Sequence, residues 1–256
     1  PPDLSLSIVL VSVTVNSAIF TFIKKFRMII LSILFFITAI LYSSVGFGGG
    51  STYLALLLIW EVPYYIFPVI ALLCNILVVS GNSFNYIRAG NYNFKLLYPF
   101  LIGSIPFAFF GGTLKIEKDI FEILLFFVLL IAGLLLLSNN KTYKNDEITI
   151  KKINFFNSFL IGTMLGLISG IVGIGGGIFL SPILFLLQAE RPRVIATTAS
   201  LFILINSISG ILGQFSKENV IDNLVNYWPL FFSVLLGGFI GNYLNLKIFS
   251  SRALTI

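Results

Sequence analysis

Two six-residue stretches concentrate the chemistry of this chain: VGFGGG at 45–50 and VGIGGG at 172–177, 127 positions apart. Neither offers a nucleophile, an acid or a metal ligand. A glycine cluster inside an apolar run offers bare backbone instead. It breaks the helix, and the next helix begins with unpaired N–H groups and the positive end of its dipole. Such a start binds an anion without help from Lys or Arg. The candidate donors are Gly48, Gly49, Gly50, Ser51 and Thr52 in the first half and Gly175, Gly176 and Gly177 in the second. Ile178 and Phe179 replace the two hydroxyl residues there. The following segment, with TTAS at 197–200 and INS at 205–207, supplies Thr197, Thr198, Ser200 and Asn206, and Asn75 and Ser80 do so in the first half. Each of these polar residues has a plainer use as a hydrogen bond between helices; the alternative is that it lines a pathway.

Other chemistries fall away. The glycine words lack the last glycine of a dinucleotide fingerprint and the Lys-Ser/Thr of a phosphate loop. The chain has no histidine and a single cysteine, Cys74, in an apolar stretch. No paired acids sit inside an apolar run, so a membrane-embedded enzyme has little to work with. No cofactor and no metal is expected.

The elements that position these groups follow from composition. The chain of 256 residues is 57% apolar and 10% charged, with a mean hydropathy of +1.02. Soluble domains carry about 25% charged residues, so this is an integral membrane protein. Uncharged runs lie at 4–23, 28–60, 62–87, 96–114, 123–140, 153–189, 194–216 and 223–246. One crossing takes about 20 residues. The runs 28–60 and 153–189, which hold the glycine words, are too long for one crossing and too short for two.

If every run crosses once, the side preceding residue 28 (side A) carries ten Lys and Arg and the opposite side B carries six. That balance favours side A as cytoplasmic. The net charge of +6 therefore reads as topology and not as a nucleic-acid surface.

The chain repeats a plan. Each glycine word is followed by a half-length apolar segment that ends near Glu61–Pro63 or Glu190–Pro192. SG at 80–81 answers SG at 209–210, and Gly111 answers Gly241. The segment 115–125 aligns with 247–256, where the second half stops, so a final helix is expected beyond it. The expected organisation is an N-terminal extension or weak extra helix (1–27), a first half (28–138), a basic polar linker (139–154) and a second half (155–256). Gly162, Gly166 and Gly170, and Gly237 with Gly241, have the small-xxx-small spacing of close helix packing. Glu61 and Glu190 read as loop carboxylates, with proton coupling as the lesser alternative. Matched breaks in two halves are the pattern of a secondary transporter. The halves are parallel if the pieces after the glycines cross, and inverted if they are re-entrant.

The stretches SSVGFGGGSTYLALLL (43–58), GLISGIVGIGGGIFLSPILFLL (166–187) and RPRVIATTASLFILINSISG (191–210) resemble the TauE/SafE family of sulfite exporters, over about residues 28–256. The second-half match is full at Gly173, Gly175, Gly176, Gly177 and Pro182. The first half departs, with Ala55 in place of the matching proline. The resemblance implies a bacterial or archaeal inner-membrane permease for sulfite, sulfonates, thiosulfate or related small anions. The expectation is an all-α integral membrane protein, a duplicated bundle of about seven to eight transmembrane helices with a Gly-broken or re-entrant segment in each half. Its partners are a small anionic solute and the lipid bilayer, with a homo-oligomer left open. Alternating access is the leading mechanism and an anion channel the alternative.

Overall fold

The computed structural model describes residues 4–138, 150–217 and 220–247, which form helices and no strand. Most of the polar linker and the segment after Lys247 lie outside the described residues. In chain order the helices are α1 (Leu4–Val45), α2 (Gly50–Ile59), α3 (Phe67–Arg88), α4 (Phe94–Thr113), α5 (Lys118–Ser138), α6 (Phe155–Val172), α7 (Gly177–Leu186), α8 (Pro192–Gln214), α9 (Val220–Leu224) and α10 (Trp228–Lys247). Among the described residues six segments are long and apolar enough to cross a membrane: Thr21–Val45, Tyr64–Arg88, Phe94–Thr113, Phe155–Val172, Pro192–Gln214 and Val225–Asn245. α5, with 21 residues and its charges confined to the first five, has the length of a seventh. Residues 4–27 continue into the first span as one helix.

The glycine words end α1 and α6 at Val45 and Val172 and start α2 and α7 at Gly50 and Gly177. Gly46 and Gly173 hold φ of 87° and 90°, and Gly49 and Gly176 hold 81° and 74°. A side chain strains that left-handed backbone, so only glycine turns the chain there cheaply. α2 and α7 have ten residues each, about 15 Å of helix, or half of a bilayer core of about 30 Å.

Both half-length helices turn back. Phe35 of α1 stacks on Tyr53 of α2 at 4.7 Å, and the Tyr42 and Thr52 hydroxyls are 2.9 Å apart. The indole N–H of Trp60 donates to the Arg27 carbonyl at 3.2 Å. Contacts that climb one helix as they descend the other make α1 and α2 an antiparallel hairpin, opening on side A. In the second half the Lys151 N–H donates to the Gln188 carbonyl at 3.2 Å, so α6 and α7 form the same hairpin. It opens on the opposite side, because Asn93, the N-cap of α4 just past the far end of α3, donates to the Glu190 carboxylate at 3.3 Å. The segments after the glycines are therefore re-entrant, and the two hairpins enter from opposite faces.

This corrects the charge count, which assumed that every run crosses once. Side A holds Lys24, Lys25, Arg27, Lys115, Lys118 and Lys217. Side B holds Arg88, Lys95, Lys151, Lys152, Arg191, Arg193 and Lys247 among the described residues. The linker 139–149, with Lys141 and Lys144, joins two ends on side B. The basic excess moves to side B because each hairpin returns to the face it came from.

Packing follows the small residues. Gly162, Gly166 and Gly170 face the backbone of Phe100, Ser104 and Ala108 so closely that a Cβ would collide with it. α4 and α6 thus run parallel in close contact, as the spacing predicts. Gly237 and Gly241 meet Phe36 and Ile40 of α1 in the same way, so α10 runs parallel to α1. α8 and α3 are the most enclosed spans, 78% and 61% buried, and they carry the buried Asn75, Asn82, Thr197, Thr198, Ser200, Asn206 and Ser207 side chains. Phe and Leu crowd the outer faces, as with Phe22, Leu137 and Phe239. In lipid that surface is already in its preferred solvent.

Candidate anion site at the paired helix breaks

The two breaks converge on α3. Asn75, fully buried at mid-helix, donates from Nδ2 to the carbonyl of Ile174, inside the second glycine word, at 3.0 Å. A Cβ on Gly48 would collide with Asn75 Oδ1. One on Gly50 would lie 2.7 Å from both Asn75 Nδ2 and the Ile174 carbonyl. One on Gly175 would lie 2.9 Å from Asn75 Nδ2 and from Ile203, and 3.1 Å from Ser207 Oγ. Gly177 abuts Ile203 and the Ala199 carbonyl. Gly48, Gly50, Gly175 and Gly177 thus surround one small space between Asn75, Ile203 and Ser207. Gly48, Gly50 and Gly177 are needed there for closeness, and Gly175, with φ of 82°, for closeness and the turn together.

The starts of α2 and α7 meet at this space from opposite sides of the bilayer. The first N–H groups of each helix have no acceptor within it, and both dipoles present their positive ends. Asn75 retains a second amide hydrogen. Among the described residues, Asn75 Oδ1 and the Ser207 hydroxyl have no hydrogen-bond partner although both are buried. Unpaired buried polar atoms are costly, and these two both lie against the second glycine word or its partner at Gly50. Among the described residues no Lys, Arg, Asp or Glu lies against these glycines, which leaves dipoles and neutral donors.

The other candidates take several positions. Gly49 packs against Thr38, Tyr42 and Tyr53, and Gly176 against Phe202, so these two capping glycines face away from Asn75. Ser51 is buried in the first turn of α2, and Thr52 pairs with Tyr42. Ser200 donates to the Gly46 carbonyl and so ties α8 to the first break. Asn206 donates to the Phe202 carbonyl at 2.9 Å, one face around from Ser207. Thr197 and Thr198 donate to the Arg193 and Val194 carbonyls of their own helix, each at 2.8 Å. Ten residues, about 15 Å of helix, separate Thr197 from Ser207. Neither Ser207 nor Ile203 stands out by residue type. The available signal is their spacing of four, which puts them on one helical face that excludes Asn206. Tyr86 is also missed by sequence: its buried hydroxyl lies against Gly46.

A family model described as Sulfite exporter TauE/SafE matches residues 31–255. The chain belongs to the TauE/SafE family. Two curated relatives are similar to this TauE/SafE chain. A probable membrane transporter protein of Sinorhizobium fredii is 26% identical over 227 residues, 88% of this chain and 91% of its own length. One of Methanocaldococcus jannaschii is 31% identical over 198 residues, 74% of this chain and 73% of its own. No solved structure matches. Family and relatives make the chain a multi-pass membrane transporter and not an enzyme. For a TauE/SafE member the match begins at 31, so it takes in both hairpins and every residue around Asn75.

Proposed function

We propose that this chain is a secondary permease for a small sulfur-containing oxyanion such as sulfite, or a sulfonate. It moves the anion by alternating access between two inverted halves, in the cell membrane with side B cytoplasmic. The observation that carries the reading is the convergence of two helix starts on Asn75 and Ser207. Donors at mid-depth, supplied by opposed halves, suit a site that opens to one face at a time. The basic excess of side B supports that side as the inner one.

The donor set also bears on protonation. A site with no side-chain cation holds one negative charge more readily than two, since burying charge is costly. Asn75 Oδ1 is an acceptor, so a ligand with an O–H fits better than one with acceptors alone. A singly protonated oxyanion meets both demands.

The test is radiolabelled sulfite flux in proteoliposomes, for wild type beside Asn75→Leu and Ser207→Ala, with sulfate, thiosulfate and a sulfonate as competitors. Saturable, gradient-dependent flux that rises as pH falls and is lost in folded Asn75→Leu supports the reading. Non-saturable flux would make the chain a channel, and undiminished flux in both variants would remove Asn75 and Ser207 from the path.

A further inference from the structure

A largely apolar cavity with two lysines in its wall lies on side A, between the start of α3, the α4–α5 connection and the end of α8. It encloses about 550 Å³, and Lys115 and Lys217 both line it, with Tyr64, Tyr65 and Asn223. No carboxylate among the described residues lines it. Two ammonium groups facing one cavity repel each other, so the arrangement favours a shared anion.

Lys217 is held in place and not left to solvent. Its Nζ donates to Gln214 Oε1 at 2.9 Å, and Gln214 Nε2 donates to the Gly170 carbonyl at 2.8 Å. An ammonium has three donors, so two remain for a ligand. Burial foremost, and the charge of Lys115 next, push the Lys217 amine down to about 8. The cavity floor leads to the second break: Pro68 and Ile171 line it, and the Pro68 backbone fills the space where a Gly173 side chain would stand.

We infer that this cavity is a second oxyanion site, in which Lys115 and Lys217 capture the solute at the side-A mouth above the glycine word 172–177. Its part in transport rests on the permease reading; the binding itself does not. The shared chemistry is a small oxygen-rich anion, free in solution or borne on a lipid headgroup.

The experiment reads the lysines directly. Purified protein in lipid-free detergent is acylated with a small uncharged amine reagent, and each lysine is followed by peptide mass spectrometry. Sodium sulfate is the probe, with chloride at equal ionic strength as control and phosphatidylglycerol in a separate arm. Sulfate should slow acylation of Lys115 and Lys217 while leaving Lys151 and Lys152 unchanged. Lys115→Gln should raise the sulfate needed for half-protection of Lys217 about tenfold, and Lys115→Arg should restore it. Equal protection by chloride or no change in Lys115→Gln would overturn the site, and protection by phosphatidylglycerol alone would overturn capture of the solute and assign the cavity to a lipid headgroup. Sulfate protection in a protein with no oxyanion flux would leave the site standing and remove the permease reading. Intact flux without protection would do the reverse.

Discussion

The amide of Asn75 on α3 and the carbonyl of Ile174 lie 3.0 Å apart, so a helix of the first half is fastened inside the glycine break of the second. The bond couples the halves where both α2 and α7 begin. Asn75→Leu leaves the Ile174 carbonyl buried without its donor, at a cost of roughly 1–3 kcal/mol. It should lower the Tm moderately and abolish sulfite flux, whereas Asn75→Gln should keep part of both. Thermal unfolding beside proteoliposome flux checks this, and a full-rate Asn75→Leu would separate the bond from transport.

Opposite entry of the hairpins gives a topological prediction. Cys74 is the only cysteine and is buried, so a Cys74→Ser background is free of native thiols. Glu61→Cys and Gln188→Cys, at equivalent places after α2 and α7, should react with a membrane-impermeant maleimide from opposite faces. Labelling of both from one face would contradict the re-entrant arrangement.

Glycines at helix contacts and in open positions should respond in opposite directions. Gly166→Leu meets the Ser104 backbone, and overpacking costs about 1–3 kcal/mol or more; reduced yield and Tm are expected. Gly133 in α5 has no neighbour within 4 Å of a new Cβ. Gly133→Ala should therefore stabilise by up to about 1 kcal/mol through helix propensity. Thermal unfolding of the two variants in one detergent compares them, and an equal loss in both would contradict close packing as the reason for Gly166.

The glycine words, their half-length followers and the small-xxx-small pairs are legible because each is local: a break, a length limit and a spacing of four. Sidedness is not. Run length alone cannot tell a half-crossing that continues from one that turns back, and one wrong choice reassigns every later loop. Re-entry is settled by pairs such as Trp60 with Arg27, far apart in sequence. Within the site, Asn75 is visible as a polar residue in an apolar run. The choice of Ser207 over Asn206 depends on which face α8 turns to Gly175, and that is set by its packing on α3.

The carboxylates at the hairpin mouths should be dispensable for coupling. Glu61 pairs with Arg27 at 3.8 Å while largely exposed, and exposed pairs contribute about 0–1 kcal/mol. Glu190 accepts from the Arg191 N–H at 2.8 Å and from Asn93, which makes it a structural tie of the side-B loops. Glu61→Gln should leave flux and its pH profile unchanged. A profile shifted by that single change would make Glu61 a proton carrier.

The side-A cavity should bind anions less well as pH rises through about 8. Burial holds the folded Lys217 amine at about 8 against an ordinary 10.5, so the folded chain sheds this proton before the unfolded chain does. Between those values the unfolded state binds more protons, and this group's contribution makes stability rise with pH. Binding has the opposite sign, because sulfate needs the ammonium and draws the amine back toward its ordinary value. Among the described residues the other titratable groups lining the cavity are Lys115, Tyr64 and Tyr65. Half-protection of Lys115 by sulfate should be flat from pH 6 to 7 and weaken from 7 to 9. Lys217→Arg should hold it flat throughout, because guanidinium stays charged. A decline that persists in Lys217→Arg would assign the titration to another group and leave Lys217 outside the anion's contacts.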